Sequence, residues 1–323
     1  MATPSPSRHL IIPFAGRRSP GCEAALASLE LPNLDALLGR LALSDDDTQD
    51  DGTLSPPHER ALARALGMSA DDGCIAWAAR EARNGGLSRT GSGEPWAVVT
   101  LCHWDVAIDE VVMSDPTEIA IDAAESQALL EAARPFFQED GISLRPSAVP
   151  GRWLARSELF RTLATASPDR AVGQPVSVWA PLTDALKPVR KLQNEMQMLL
   201  YTQRVNDERS ARGAQPINSF WLSGTGALPK DAVAAKAAEP ALAAALRTPA
   251  LRDDGAGWAA AWQALDAGPI AELLAACSAG DDVTLTLCGD RSARRFTAGK
   301  RGAVRWLKGL FDRTSVRTVL AAL

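Results

Sequence analysis

Two short apolar runs at opposite ends of the chain, HLIIPFAG at 9–16 and DDVTLTLCGD at 281–290, do most to limit its fold. Each is a strand length of β-branched and aliphatic residues closed by turn-forming residues, Pro13 and Gly16 in the first case and Gly289 in the second. Helical patterns stand beside both. Residues 22–43 carry Leu26, Leu29, Leu34, Leu37, Leu38 and Leu41 at helical spacing, with Pro32 ending one helix or opening the next. HERALARALGM and CIAWAAREARN form two more short helices, and an alanine-rich stretch, AVAAKAAEPALAAAL, predicts helices late in the chain. Strand and helix alternating at both ends predicts one α/β core interrupted by a middle unit.

The Gly/Ser-rich connection from Gly85 to Pro95 marks a boundary in the first half. Beyond it, PWAVVTLCHWDVAID reads as a strand continuing toward VVM, AAESQALLEAARPFFQEDG as an amphipathic helix, and ISLRPS and GRWLAR as strands, which together make a small α+β unit. The clearest helix is LKPVRKLQNEMQMLLYTQR at 186–204, its two methionines assigned to core packing. NSFWLSGTG follows as a buried strand. The predicted division is 1–85 for the first part of the core, 86–185 for the inserted unit and 186–323 for a linker helix and the rest of the core. Residues 1–7 read as a loose tail, and SDDDTQDDGTLSPP at 44–57 as a solvated acidic loop. Its aspartates approach a calcium-loop spacing, but the twelfth position is His58 instead of glutamate.

Composition narrows the function. The 323 residues carry a net charge of −5 with no Lys/Arg-rich run, which argues against a nucleic-acid footprint. The only histidines are His9, His58 and His103, too few for a site built on several imidazoles. Five cysteines, odd in number and without a C-x-x-C pair, favour a reducing cytoplasmic setting. The run Leu10 to Phe14 is too short for an export signal, and no stretch is long and apolar enough for a membrane span.

No phosphate loop, dinucleotide fingerprint, nucleophile elbow or H-E-x-x-H motif is present. Cys102 and His103 are neighbours in a strand, so they face opposite sides; the cysteine is expected inward and His103 outward as a ligand candidate. Asn206, Arg209 and Arg212 precede Gly213 in a cluster suited to an anion, because guanidinium forks match phosphate or carboxylate oxygens; a solvated helix end is the competing reading. Gly224 and Gly226 end a strand, where ligands gather in open α/β sheets, or simply form a tight turn.

QRVNDERSARGAQPINSFWLSGTG at 203–226 resembles the segment H-P-x-N-x-x-R-x-x-x-G-x-x-P-x-N-x-x-x-L-x-G-x-G of archaeal-type cofactor-independent phosphoglycerate mutases. Asn206, Arg209, Gly213, Pro216, Asn218, Gly224 and Gly226 match, while Gln203 and Arg204 replace the leading His-Pro. LIIPFAG, CEAALASLE and LPNLDALL are similar to the family's opening, and TLTLCGDRS sits where it carries a strand and G-D-H-[ST]. The resemblance implies an alkaline-phosphatase-like α/β core, a mixed sheet between helices, with an inserted smaller α+β cap. Members of that superfamily use two divalent ions, held by Asp and His, to activate a serine. Here Pro13-Phe14-Ala15 replaces the first metal aspartate, Asp290-Arg291 replaces Asp-His, and the family's Pro-His-Asp is Pro168-Asp169.

A cation at Arg291 cannot ligate a metal. The resemblance extends to a degenerate branch, the Rpf-type regulatory protein E family, through RKLQNEMQMLLYT, VND and NSFWLSGTG. It implies a phosphoglycerate-mutase-like regulatory protein without dimetal phosphoryl transfer or any cofactor. Such a protein would bind a phosphorylated metabolite through Asn206, Arg209, Arg212, Asn218, Gly224, Gly226 and His103, beside a vestigial metal site at Asp290 and Arg291. A protein partner is a further expectation. The alternative is an active mutase or phosphatase using manganese or another divalent metal held by His103, Asp105, Asp290 and the acidic loop.

Overall fold

The strands, in chain order, are β1 (His9–Ile12), β2 (Leu41–Thr48), β3 (Pro95–Cys102), β4 (Trp104–Val106), β5 (Val111–Met113), β6 (Ser143–Pro146), β7 (Arg152–Arg156), β8 (Ser219–Ala227), β9 (Ala241–Leu242), β10 (Thr284–Cys288) and β11 (Ser292–Ala298). This computed structural model describes residues 8–68, 70–89, 92–180, 183–229, 239–298 and 315–323. The expected tail at 1–7 and part of the alanine-rich stretch, 230–238, lie outside the described residues. The chain separates into two compact units. The first comprises Met1–Gly52, Pro56–Gly67 and Ala235–Leu323, the second Thr53–Ser55 and Met68–Ala234.

In the first unit the two terminal runs pair as expected for an α/β core. β1 lies parallel to β10, His9 opposite Thr284 and Ile12 opposite Leu287, within a mixed sheet of order β2-β11-β10-β1-β9. Alternation of side chains along β1 explains why both faces are covered. Leu10 and Ile12 join Leu34, Leu37, Trp258, Trp262, Leu285 and Leu287 in one core, while Ile11 meets Cys288, Ala293 and the Ala61–Leu62 side of helix Pro57–Ala65. Each buried Leu or Ile contributes roughly 1.5–3 kcal/mol. Pro32 opens helix Pro32–Leu38, where its missing N–H costs nothing. The buried Asp266 carboxylate then accepts from the N–H groups of Asn33 and Leu34.

The acidic segment departs from its expected loop. Its first half is β2, antiparallel to β11, with Asp46 opposite Arg294 and Asp45 opposite Arg295. Aspartate is a poor strand former, and here cross-strand guanidinium groups neutralise the run: Arg294 Nε donates to Asp46 Oδ2 at 3.0 Å.

The second unit is built on a four-stranded antiparallel sheet of order β6-β7-β3-β8, plus the hairpin β4-β5. β3 is buried along its whole length. Helix Trp77–Asn84 packs Ala78, Ala79 and Ala82 on Trp96, Val98 and Leu154. Helix Ala123–Glu139 begins with a reciprocal capping box between Asp122 and Glu125.

The division therefore differs from the expected 1–85, 86–185 and 186–323. Residues 68–85 and 186–234 fall in the second unit, because β8 pairs with β3 from Pro95–Ala227 to Cys102–Ser219 instead of joining the β1–β10 sheet. Helix Lys187–Tyr201 buries Val189, Leu192, Met196 and Leu200 as the spacing predicts, but Met198 is exposed and is not a core residue.

Candidate functional site

The carboxyl ends of parallel strands in an open α/β sheet are where ligands collect. In the first unit, the turns after β1 and β10 meet there. Phe14, just past β1, holds φ +56°, a left-handed backbone that costs a non-glycine residue about 1 kcal/mol or more. Three contacts hold it: Trp258 Nε1 donates to Phe14 O at 3.0 Å, Ala15 N donates to Cys288 O at 2.7 Å, and the Phe14 ring lies 5.3 Å from the His58 ring.

This turn delivers Arg17 and Arg18 to Asp290. Arg17 Nη1 donates to Asp290 Oδ1 at 2.6 Å and Arg18 N to Oδ2 at 2.9 Å. Arg18 Nη2 reaches Asp51 Oδ1 at 2.6 Å, and Arg291 Nε lies 3.6 Å from the same oxygen while donating to Gln49 O at 3.3 Å. A deeper layer supports them. Arg60 Nε and Arg64 Nη2 donate to Asp47 Oδ2 at 2.9 and 2.7 Å, and Arg60 Nη2 donates to Arg291 O at 3.2 Å. Burial alone would raise the Asp47 carboxyl, but the Arg60 and Arg64 guanidinium groups hold it below the usual carboxylate range.

These residues do not fit the divalent pair that the family resemblance implies. Asp290 and Asp47 turn their oxygens to guanidinium donors, and Arg17, Arg18 and Arg291 bring positive charge where a metal would bring its own. Among the described residues, no group of three His, Cys, Asp or Glu side chains converges to hold a metal. The chemistry of this set is recognition of oxyanions by charge-assisted hydrogen bonds.

The matched motif of 203–226 lies in the second unit, and its polar side chains bond to protein groups. Arg209 is 0% exposed: Nε donates to Gln215 O at 2.8 Å, Nη1 to Glu125 Oε2 at 2.8 Å and Nη2 to Ile119 O at 2.6 Å. Arg212 bonds the other Glu125 oxygen. Burial pushes the Glu125 carboxyl up, yet the Asp122 N–H, Arg212 and Arg209 together hold it below its ordinary range. Asn206 donates to Leu200 O and Ile217 O and accepts from Ile217 N, all within 2.8 Å. Asn218 brackets Trp104, accepting from its N–H at 2.7 Å and donating to its carbonyl at 2.9 Å.

Gly224 (φ +62°) and Gly226 (φ +134°) serve close packing. A Cβ at Gly226 would stand 2.9 Å from Cys74 O. Of the polar side chains expected here as ligands, Asn206 and Arg209 are buried on protein partners, whereas Arg212 is half exposed while bonded to Glu125. His103 likewise turns Nδ1 to Pro216 O at 2.7 Å, with Nε2 3.2 Å from Asp105. Cys102 is buried on the opposite side, where desolvation pushes its thiol up.

Asp290 and Arg291 are where the sequence put the altered site, but Arg17 and Arg18 supply the charge on Asp290. Those two were readable only as the polar residues closing the first strand. The rule that carboxyl strand ends hold ligands would have found them, once β1 and β10 were known to be parallel neighbours.

No family model and no curated protein matches the chain. Solved structures similar to it include the PH0037 protein from Pyrococcus horikoshii, at 13% identity and TM-score 0.41, covering 90% of this chain and 87% of that one. A cofactor-independent phosphoglycerate mutase from Thermoplasma acidophilum is also similar, at 13% identity and TM-score 0.36, covering 96% and 94% of the two chains. At these values neither likeness assigns a residue or an activity to this chain, which is an α/β protein with a mixed sheet.

Proposed function

We propose that the chain is a phosphoglycerate-mutase-like regulatory protein that binds a phosphorylated small molecule at Arg17, Arg18 and Arg291 and does not transfer its phosphoryl group. The observation that carries this reading is the placement of Asp290 between Arg17 and the Arg18 N–H, a cationic setting in place of metal ligands. Arg18 and Arg291 are 47% and 41% exposed and share the exposed Asp51 carboxylate. Exposed pairs of this kind hold by roughly 0–1 kcal/mol, so a phosphate dianion displaces them readily. All five cysteines are free, in keeping with a cytoplasmic setting.

Calorimetric titration with 3-phosphoglycerate and with inorganic phosphate tests the reading. Arg18→Ala and Arg291→Ala each weaken binding about tenfold, the loss of one charge-assisted hydrogen bond. No binding of either compound overturns the ligand. Manganese-dependent interconversion of 3- and 2-phosphoglycerate, abolished by Asp290→Ala, overturns the absence of phosphoryl transfer in favour of an active mutase.

A further inference from the structure

In the second unit, the β4-β5 hairpin joins a rigid base to an apolar tip. At the base, Asn218 fixes both backbone groups of Trp104, Ser114 N donates to His103 O at 3.0 Å, and Ser114 Oγ donates to Asp105. Met113 is fully buried, and Val112 and Met113 bridge to Pro175 and Val172. At the tip, Ala107 N donates to Glu110 O at 2.9 Å and closes a turn whose apex is Ile108-Asp109. Ile108 is fully exposed (101%) and Val106 is 80% exposed. A turn apex favours Asn, Asp and Gly, so isoleucine there violates local turn chemistry and solvation together.

The charge carried by the hairpin itself, residues 104–113, is of one sign: Asp105, Asp109 and Glu110, with no lysine or arginine. Asp105, Asp109 and Glu110 flank the apolar tip, and all are exposed. Such a field repels nucleic acid and anionic lipid and attracts a cationic surface.

We propose that the hairpin tip is a docking finger for a protein partner that presents an apolar notch rimmed by Lys and Arg, with Val106 and Ile108 as anchors and Asp109 and Glu110 as the steering charges. The inference does not depend on the ligand reading, since it rests on a different unit and on different residues.

The full-length chain is titrated with a fluorescent amphipathic peptide carrying a leucine stripe between lysines, and with a control peptide in which serine replaces each leucine. Ile108→Ser is expected to weaken the leucine peptide about tenfold or more, the loss of one buried aliphatic anchor. The double variant Asp109→Asn, Glu110→Gln weakens it as well and flattens its salt dependence. An unchanged thermal midpoint in Ile108→Ser shows that the lost binding comes from the tip and not from unfolding. Equal binding of the serine control, or no effect of Ile108→Ser, overturns the finger. So does binding to phosphatidylserine vesicles, or self-association in sedimentation equilibrium, if Ile108→Ser removes it, because either names a different occupant.

Discussion

Two arginine–carboxylate constellations, one in each unit, are alike in residue chemistry and differ in surroundings. In the second unit, Glu125 accepts from Arg209 and Arg212 at the foot of a capped helix, and Arg209 is wholly enclosed. In the first, Asp290 accepts from Arg17 and Arg18 on the turn past β1, with Arg18 and Arg291 half in solvent. A buried guanidinium with each of its nitrogens on a protein oxygen holds a fold together. An exposed one, sharing a carboxylate with a neighbour, is free to exchange that carboxylate for a ligand. Both clusters set two arginines on one carboxylate, and the enclosure of Arg209 against the exposure of Arg18 separates them.

The largest test of this contrast is Arg209→Ala. It leaves the Glu125 carboxylate with only Arg212 and the Asp122 N–H, and strands the Gln215 and Ile119 carbonyls, so urea unfolding should show a loss of about 3–5 kcal/mol. Phosphate binding to the surviving native fraction should not change. If instead stability holds and binding falls, the roles of the two clusters are exchanged. Asn206→Ala, which strands the Ile217 N–H and two carbonyls, should cost about 1–3 kcal/mol by the same measurement.

Acid should act on both units, through different groups. His9 in β1 is lowered from 6.5 to about 4, by burial first and by Arg295 second. Between those values the unfolded chain holds the extra proton, so stability falls as pH drops from about 6.5 toward 4. His9→Gln, which keeps a partner for Thr286 Oγ1, should flatten that part of the thermal-midpoint profile. Glu125 and Asp47 have depressed folded values, so their contributions are present above the ordinary carboxylate range and disappear as pH falls below it. The Arg209→Ala chain should lose part of the Glu125 contribution to that lower limb, the Asp122 N–H and Arg212 keeping the rest.

The smallest stability effect belongs to the first unit. Arg18→Ala and Arg291→Ala should each move the unfolding free energy by less than about 1 kcal/mol while weakening phosphate about tenfold. A larger stability loss than binding loss would make this network structural too.

Much of the secondary structure can be read from local pattern. The terminal apolar runs became β1 and β10, the leucine stripe became helices opened by Pro20 and Pro32 except for Leu29 between them and Leu41, which begins β2, and Val189 to Leu200 became a helix with a single buried face. β2 escaped because Asp45, Asp46 and Asp47 read as solvated until Arg294, Arg60 and Arg64 are brought against them. The candidate site was half readable: Asp290-Arg291 stood out as an altered motif, whereas Arg17 and Arg18 acquire meaning only 272 or more residues away, across the sheet.

Local sequence thus settled most of the strands and helices, β2 excepted, because backbone preference, proline position and apolar period act within a few residues. It also settled the shortage of imidazole and the one-signed charge of the hairpin's own residues. Which sheet β8 joins, and which arginines are enclosed, depended on the folded chain. Strand pairing and desolvation are relations between segments far apart in sequence, and a motif carries the same letters whether its guanidinium faces water or a buried carboxylate.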